Sequence, residues 1–318
     1  MDLKIDDLAD VLKEDPEGKI FQLRRRIFTD PKIFDREMER IFEANWVYLA
    51  HESQLPEANS FLTTTIGRKP VILSRARDGG YRAVVNACAH RGTKVEVLKA
   101  GRKSRFVCPF HAWSYRPDGT LLSCAETGQN GYGGAFEKGK NGLRPVALVQ
   151  DYRGFIFGSL TEDVLPLAEH LGDVSRLIDL IVDQDPDGKI EVLPGVHTFT
   201  YEGNWKIALE NGSDGFHVPA VHANYVRTVA NRLKTNSARG DVVEPIDVSN
   251  IVKKASGFFS LANGHHMQWY EAPNPEVRPV WRSRGKLAER YGEEQAAWMA
   301  DRFKFVVNGG AKVGHSAA

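Results

Sequence analysis

The spacing of apolar positions along the chain changes period twice. Over residues 31–45, PKIFDREMERIFEAN, Ile33, Phe34, Met38, Ile41 and Phe42 recur at helical intervals, which predicts a helix with one core-facing side. Thr29 or Asp30 stands where a cap belongs, just ahead of Pro31. A short amphipathic helix is expected before them, within the first thirty residues. From Trp46 the runs become short and strand-like, at 46–50, 60–66, 70–75 and 81–86, separated by turn signals such as Asp78-Gly79-Gly80. Asp118-Gly119 predicts a hairpin joining 113–116 to 120–124, and strands follow at 144–150 and 154–160. The glycine-rich stretch 128–142 reads as a surface loop. Helical spacing returns over 165–182 and is broken at Asp185-Pro-Asp-Gly188.

Composition narrows the function classes. A chain of 318 residues that is 42% apolar and 26% charged can bury a sizeable core, divided between two domains. Its 42 basic and 41 acidic residues sum to +1, so bulk charge favours neither nucleic acid nor an anionic membrane as partner. Arg24-Arg25-Arg26 fits a solvated face or a subunit contact better than a phosphate site. No long apolar run is present, and the acidic, polar start MDLKIDDLADVLKEDPEGK does not read as a signal peptide, so a cytoplasmic location is expected. Neither GxGxxG nor a P-loop occurs.

The candidate chemistry begins at Cys88-Ala-His90 and, seventeen residues later, Cys108-Pro-Phe-His111. Two thiolates and two imidazoles in the order Cys-x-His and Cys-x-x-His suit a [2Fe-2S] cluster of the Rieske type, with both cysteines on one iron and both histidines on the other. Each loop then gives a sulfur to the inner iron and a nitrogen to the outer one. Neutral imidazoles in place of thiolates raise the reduction potential, which predicts one-electron transfer. The competing reading is a Cys2His2 zinc site, but zinc modules pair their cysteines first and their histidines second. Arg91-Gly92 lets the first loop turn, while Pro109, Trp113 and Tyr115 offer apolar cover and a hydrogen-bond donor to the sulfurs. Cys124, the third cysteine, has no disulfide partner and is expected to be a small buried residue.

A second donor group lies in IALENGSDGFHVPAVH, which contains Glu210, Asn211, Asp214, His217 and His222. Asp214 and His217 are close enough in a helical turn to hydrogen bond, as carboxylates that orient metal-bound histidines do. His217 and His222 stand roughly 140° apart on an ideal helix, so they converge only if the helix breaks between them. Pro219 supplies the break. Two imidazoles with open positions suit non-haem Fe(II) when a carboxylate completes the set.

The loops CAHRG and CPFHAW, followed by GNWK, EN, DGFH and His222, resemble the large subunit of Rieske non-haem iron ring-hydroxylating dioxygenases. Stretches such as RIFTDPKIFDREMERIFEANWVYLAHESQLP, VVNACAHRG, GFIFGSL and LIDLIVDQ are most similar to the benzoate, anthranilate and halobenzoate branch, over residues 20 to 305. The resemblance implies an α+β chain. An N-terminal helical segment (1–42) would pack on the catalytic domain, a β-rich Rieske domain would span 43–160, and an incomplete catalytic domain of antiparallel sheet with helices would span 161–305, before an irregular tail at 306–318.

It also implies that Cys88, His90, Cys108 and His111 hold the cluster, that His217 and His222 hold mononuclear Fe(II), and that Asp214 links His217 to the cluster histidine His111 of a neighbouring subunit. The implied activity is cis-dihydroxylation of an aromatic carboxylate by O2, with electrons from an NADH-dependent reductase, in a ring of alpha subunits with a small beta subunit. A Rieske electron carrier or an inactive subunit is the alternative. After Trp298-Met299 the family continues to a distant aspartate that completes the iron ligands. Here the chain runs through Arg302-Phe-Lys-Phe305 into VVNGGAKVGHSAA, where Asp301 falls too early for that role, so uncovered strand edges and apolar surface are expected.

Overall fold

The computed structural model describes residues 11–124, 131–132, 136–185, 187–214, 216–239, 255–271, 284–294, 296–297 and 305–310. The chain divides into two compact units. The first holds the described residues up to His170 and takes in Glu191–Trp205, while the second holds Leu171–Ile190 and the described residues from Lys206 to Gly310. The first unit therefore runs ten residues beyond the expected boundary at 160. Trp46 Nε1 donates to the Leu165 carbonyl at 2.7 Å, and the Val192 amide donates to Ser53 Oγ at 3.0 Å, tying both later segments to it.

The described chain opens with a hairpin of β1 (Leu12–Asp15) and β2 (Ile20–Leu23), while residues 1–10, part of the stretch in which a short helix is expected, lie outside the described residues. Turn chemistry shapes the hairpin: Pro16 lacks an N–H, and the Asp15 carboxylate accepts from the Gly18 amide at 2.9 Å. Helices α1 (Arg26–Thr29) and α2 (Pro31–Glu37) follow, the latter continuing as a π turn over Met38–Phe42. Asp30 provides the cap, accepting from the Lys32 amide. Ile33, Met38 and Phe42 are buried as the spacing predicts, whereas Phe34, in the first turn, is 40% exposed.

The strand-like runs form an antiparallel domain. In chain order they are β3 (Val47–His51), β4 (Ser60–Ile66), β5 (Lys69–Arg75), β6 (Tyr81–Val85), β7 (Ala100–Arg102), β8 (Phe106–Val107), β9 (Ser114–Tyr115), β10 (Leu121–Ser123), β11 (Leu148–Tyr152) and β12 (Phe155–Ser159). They pair as β6-β5-β4-β7, β10-β9-β8 and β11-β12-β3. The four-stranded sheet is covered on both faces, which is why β5 reads as the continuous apolar run Val71-Ile72-Leu73 rather than an alternation. Val71 and Leu73 join Val47, Leu49, Ile66 and Ile156 in one core. Ile72 joins Phe61, Val84, Phe106, Trp113 and Tyr115 in the other, together with all three cysteines. Cys124 is buried, as expected.

At the end of β6 a buried side chain fixes the next loop. Asn86 Oδ1 accepts from the Val95 and Glu96 amides, both at 2.9 Å, and Asn86 Nδ2 donates to the Glu96 carbonyl at 2.7 Å. The buried Glu96 carboxylate in turn accepts from the Val97 and Leu98 amides and pairs with Lys103 at 2.6 Å. A buried charge is tolerable here because each oxygen has a donor.

The helix predicted over 165–182 is two, α3 (Leu167–Leu171) and α4 (Val174–Val182), separated at Gly172, whose φ of +48° no continuing helix allows. In the later chain α5 (Trp205–Ser213), α6 (Val218–Val221) and α7 (Ala223–Arg239) precede β13 (Ser256–Ser260), β14 (His266–Glu271), α8 (Arg284–Tyr291) and β15 (Phe305–Gly310). The sheet order is β13-β14-β15, all antiparallel. Val306–Gly310, expected to be irregular, thus belongs to a strand: Phe305-Val306-Val307 has the β-branched and aromatic character that pairing favours. Residues 311–318 lie outside the described residues, as do Trp298, Met299 and Asp301. Phe258 and Phe259 on β13 are 52% and 49% exposed.

Asn86→Ala removes three buried hydrogen bonds at once. It should lower the stability of the protein by about 2–4 kcal/mol in denaturant unfolding. A loss below about 1 kcal/mol would mean that the loop from Val95 to Leu98 is held by other contacts.

Candidate metal centres

Two loops of one backbone form rise from the core that contains the cysteines. In each, the cysteine amide donates to the carbonyl five residues on, Cys88 to Thr93 at 2.9 Å and Cys108 to Trp113 at 2.8 Å. Each cysteine carbonyl accepts from the amide four residues on, Gly92 at 2.8 Å and Ala112 at 3.0 Å. Those two residues reverse the chain in the left-handed region, with φ of +73° and +57°. Glycine reaches that conformation freely, as the sequence suggests for Gly92, while Ala112 adopts it at a cost of about 1–2 kcal/mol.

The shared form sinks the cysteines and raises the histidines. Cys88 and Cys108 are buried, whereas His90 and His111 are half-buried with ring centres 4.7 Å apart. This is the inner-sulfur, outer-nitrogen arrangement that the ligand order predicts. His111 Nδ1 is buried and hydrogen bonds to nothing in the described protein, so it points at a group the chain itself does not supply. Trp113 stacks on His90 with centres 5.1 Å apart and planes within 6°. Tyr115 Oη lies 3.0 Å from Cys88 Sγ and accepts from the Ala89 amide. Burial, and then the contact with Cys88, push the Tyr115 phenol far above its ordinary pKa, so its proton stays available to the sulfur.

Among the described residues, no group of three or more His, Cys, Asp and Glu side chains gathers about a single point. A tetrahedral zinc ion needs four donors within about 2.0–2.3 Å of one centre. The order of the loop donors, one buried sulfur and one half-buried imidazole from each loop, suits a binuclear group.

In the second unit the chain leaves α5 at Ser213 and turns before α6. Asp214 Oδ1 accepts from the Phe216 amide at 2.7 Å, and Oδ2 lies 3.1 Å from His217 Nδ1. His222 falls in the break between α6 and α7, and its Nε2 is 3.2 Å from that of His217. The break that brings them together falls at His222, after α6, and not at Pro219, which lies inside α6. Two nitrogens about 2.1 Å from one ion lie about 3 Å apart when the angle between them is near 90–100°, so this pair fits a shared ion. Asp214 has both oxygens engaged, which makes it an orienting group rather than a third ligand. By accepting from Nδ1–H it fixes the His217 tautomer that leaves Nε2 a lone pair.

The Phe216 amide, and then His217, hold the Asp214 carboxyl below the usual carboxylate range. The contact is therefore complete at neutral pH and is lost only as pH falls through that lowered value. Glu210 and Asp214 line a cavity of about 440 Å³ with Leu209, Phe258, His265 and His266. The adjacent histidines His265 and His266 escaped the sequence reading, because the fold and not their spacing brings them to this cavity. Burial first, and then His265, lower the pKa of His266. Asn211, also singled out, is exposed.

Comparison with known proteins gives both centres a context. Residues 45–132 match the Rieske [2Fe-2S] domain, and residues 190–306 match the catalytic domain of ring hydroxylating alpha subunits. The chain is 44% identical over 300 residues to the toluate 1,2-dioxygenase subunit alpha of Pseudomonas putida, covering 94% of this chain and 65% of that one. It is 42% identical over 295 residues to the anthranilate 1,2-dioxygenase large subunit of Acinetobacter baylyi, covering 91% and 62%. Among solved structures, naphthalene 1,2-dioxygenase with indole in its active site superposes with a TM-score of 0.70 at 26% identity, over 87% of this chain and 61% of that one. The chain thus spans less than two thirds of the relatives it matches.

Two measurements follow from the geometry. Tyr115→Phe removes a donor to the thiolate and should lower the cluster's reduction potential by on the order of 50 mV in a redox titration, with the cluster's visible spectrum retained. Asp214→Asn should weaken Co(II) or Fe(II) binding at His217 and His222 by about 10–100-fold. An unchanged affinity would show that Asp214 does not orient the imidazole.

Proposed function

We propose, for a chain that belongs to the Rieske ring-hydroxylating alpha subunits, that it is the oxygenase component of an aromatic-ring dioxygenase. The observation that carries this is the presence in one chain of the paired Cys/His loops and of His217 and His222 with their Nε2 atoms 3.2 Å apart. A one-electron relay has a purpose where its electrons have a second metal to reach. The reaction proposed is cis-dihydroxylation of an aromatic carboxylate of the benzoate or anthranilate type, the class that the names of the toluate and anthranilate relatives carry.

The cofactors are a [2Fe-2S] cluster and a mononuclear iron, which when bound supply single-electron transfer and dioxygen activation. In the proposed assignment Cys88 and Cys108 hold one cluster iron, and His90 and His111 the other. Tyr115 gives its hydrogen to the Cys88 sulfur, and Trp113 keeps water from one face of His90. His217 and His222 face the mononuclear ion, with Asp214 setting the tautomer of His217. The cluster domain is assigned to 43–160 and the catalytic domain to 161–305. Electrons would come from NADH through a reductase, in an assembly of alpha subunits with a small beta subunit. No helix among the described residues is long and apolar enough to cross a membrane; a cytoplasmic location is part of the proposal.

One observation favours a second reading. No carboxylate joins His217 and His222 about a common point among the described residues, one donor short of a facial triad. A chain of that kind would accept electrons at the loops without forming product.

Anaerobic reconstitution with Fe(II), followed by iron analysis and spectroscopy, separates the two. The oxygenase should hold about three irons, two of them in the cluster, and form a diol from benzoate with NADH and a reductase. About two irons per chain, all in the cluster and with no product, would leave only the carrier.

A further inference from the structure

The cavity of about 440 Å³ beside Asp214 draws its lining from two elements that differ in chemistry. From α5 and the turn after it come the carboxylates of Glu210 and Asp214. From the hairpin of β13 and β14 come Phe258, Ser260 and His266. Neither lysine nor arginine is among the lining residues. The volume falls in the range of about 300–1,000 Å³ usual for small-molecule pockets.

Strand register puts the three hairpin side chains together. Ser260 stands directly opposite His266, and Phe258, two residues before Ser260, shares its face. The rings of Phe258 and His266 bear this out, with centres 5.8 Å apart and planes 20° from parallel. The result is a flat aromatic wall with a hydroxyl beside it. Phe258 is 52% exposed and His266 is half-buried, so the wall is open to a ligand. Burial disfavours the charged imidazole, and His266 therefore presents an N–H rather than a fixed positive charge.

A metal ion does not account for this lining, since among the described residues no three His, Cys, Asp and Glu side chains gather about one point. A flat wall suits an aromatic ring, and N–H and O–H donors suit an acceptor carried on that ring. Such hydrogen bonds are strongest when the acceptor is ionised. The helix side of the cavity decides which way an anionic ligand lies. A carboxylate brought near Glu210 and Asp214 meets like charge, and Asp214 already has its oxygens engaged by the Phe216 amide and His217. Beside Ser260 and His266 it meets donors.

We propose that Ser260 and His266 receive the carboxylate of the aromatic substrate, with its ring against Phe258 and its charge directed away from Glu210 and Asp214. The proposal rests on the oxygenase reading and names the side chains that select an aromatic acid over a neutral ring.

The test compares benzoate with benzamide, its neutral isostere, by isothermal titration calorimetry on the reconstituted protein. The parent should bind benzoate more tightly. His266→Leu should weaken benzoate by about 10–100-fold and leave benzamide within about threefold, while His266→Gln, which keeps an N–H donor, should recover most of that loss. Ser260→Ala should also weaken benzoate selectively, and it carries the same comparison where His266→Leu does not fold. A parent that binds the two ligands alike, or binds neither, overturns the proposal. So does an equal loss for both ligands in the His266 and Ser260 variants, which would leave these residues only a part in shaping the cavity. About two irons per chain and no diol would sink the oxygenase reading, whereas a benzoate preference lost in His266→Leu would still uphold the carboxylate's place.

Discussion

The first unit is built to meet one demand: a single bound group must have its sulfur ligands dry and its nitrogen ligands at the surface. The four-stranded sheet makes this possible because both of its faces are covered. One face packs on β3 and β12 through Val71 and Leu73. The other supports the core in which Cys88 and Cys108 are themselves members beside Ile72, Phe106 and Trp113. The sulfurs are thus held by the same apolar packing that stabilises the domain, at about 1.5–3 kcal/mol for each large side chain buried. Disturbing the ligands and disturbing the core are the same act. The polar clamp of Asn86, Glu96 and Lys103 extends the rigidity to the chain leaving the first loop.

The second centre is made in a different way. Its three side chains lie within nine residues, placed by an aspartate turn and a short helix rather than by strands far apart in sequence. Among the described residues, little apolar packing backs it. Of the described side chains of α7, only Val229 is buried, and Val221 and Tyr225 are 70% and 61% exposed. Where a donor pair stands on so thin a core, a bound ion contributes to the folding of its surroundings as well as to chemistry. The two centres should respond unlike each other to metal loss, the loops keeping their backbone and the His217 region loosening.

Much of this was legible in the sequence wherever a local cause acted alone. Strands β3 to β6 follow from short strand-like runs bounded by turn residues, and the hairpin at Asp118-Gly119 from its turn pair. The ligand loops follow from spacing, while His217 and His222 meet across the short helix α6, which runs through Pro219 and ends before His222. The misses share a cause too. Gly172 divides a helix that periodicity ran straight through, because a backbone constraint at a single residue outranks an averaged pattern. The strand at Phe305–Gly310 was missed because its glycines and asparagine mask a β-branched start, and pairing with β14 depends on a partner no local window contains. His265 and His266 were missed because nothing in their spacing links them to Asp214; only the fold puts them on one cavity.

The two ligand loops also show how equal backbones produce unequal ligands. Both reverse at the fourth residue after cysteine, yet the histidine is the second residue in one loop and the third in the other. The imidazoles therefore meet at 68° rather than as mirror images. His90 receives the flat face of the buried Trp113, while His111 receives the exposed Phe110, whose ring centre is 4.0 Å away. The two half-buried imidazoles thus have unlike neighbours, a buried indole and an exposed phenyl ring. A Cβ at Gly92 would meet nothing within 4 Å, so the alanine found at 112 is not excluded there by space. What separates the loops is the one-residue offset of the ligand. That offset gives an otherwise symmetrical clasp two histidines with unlike surroundings.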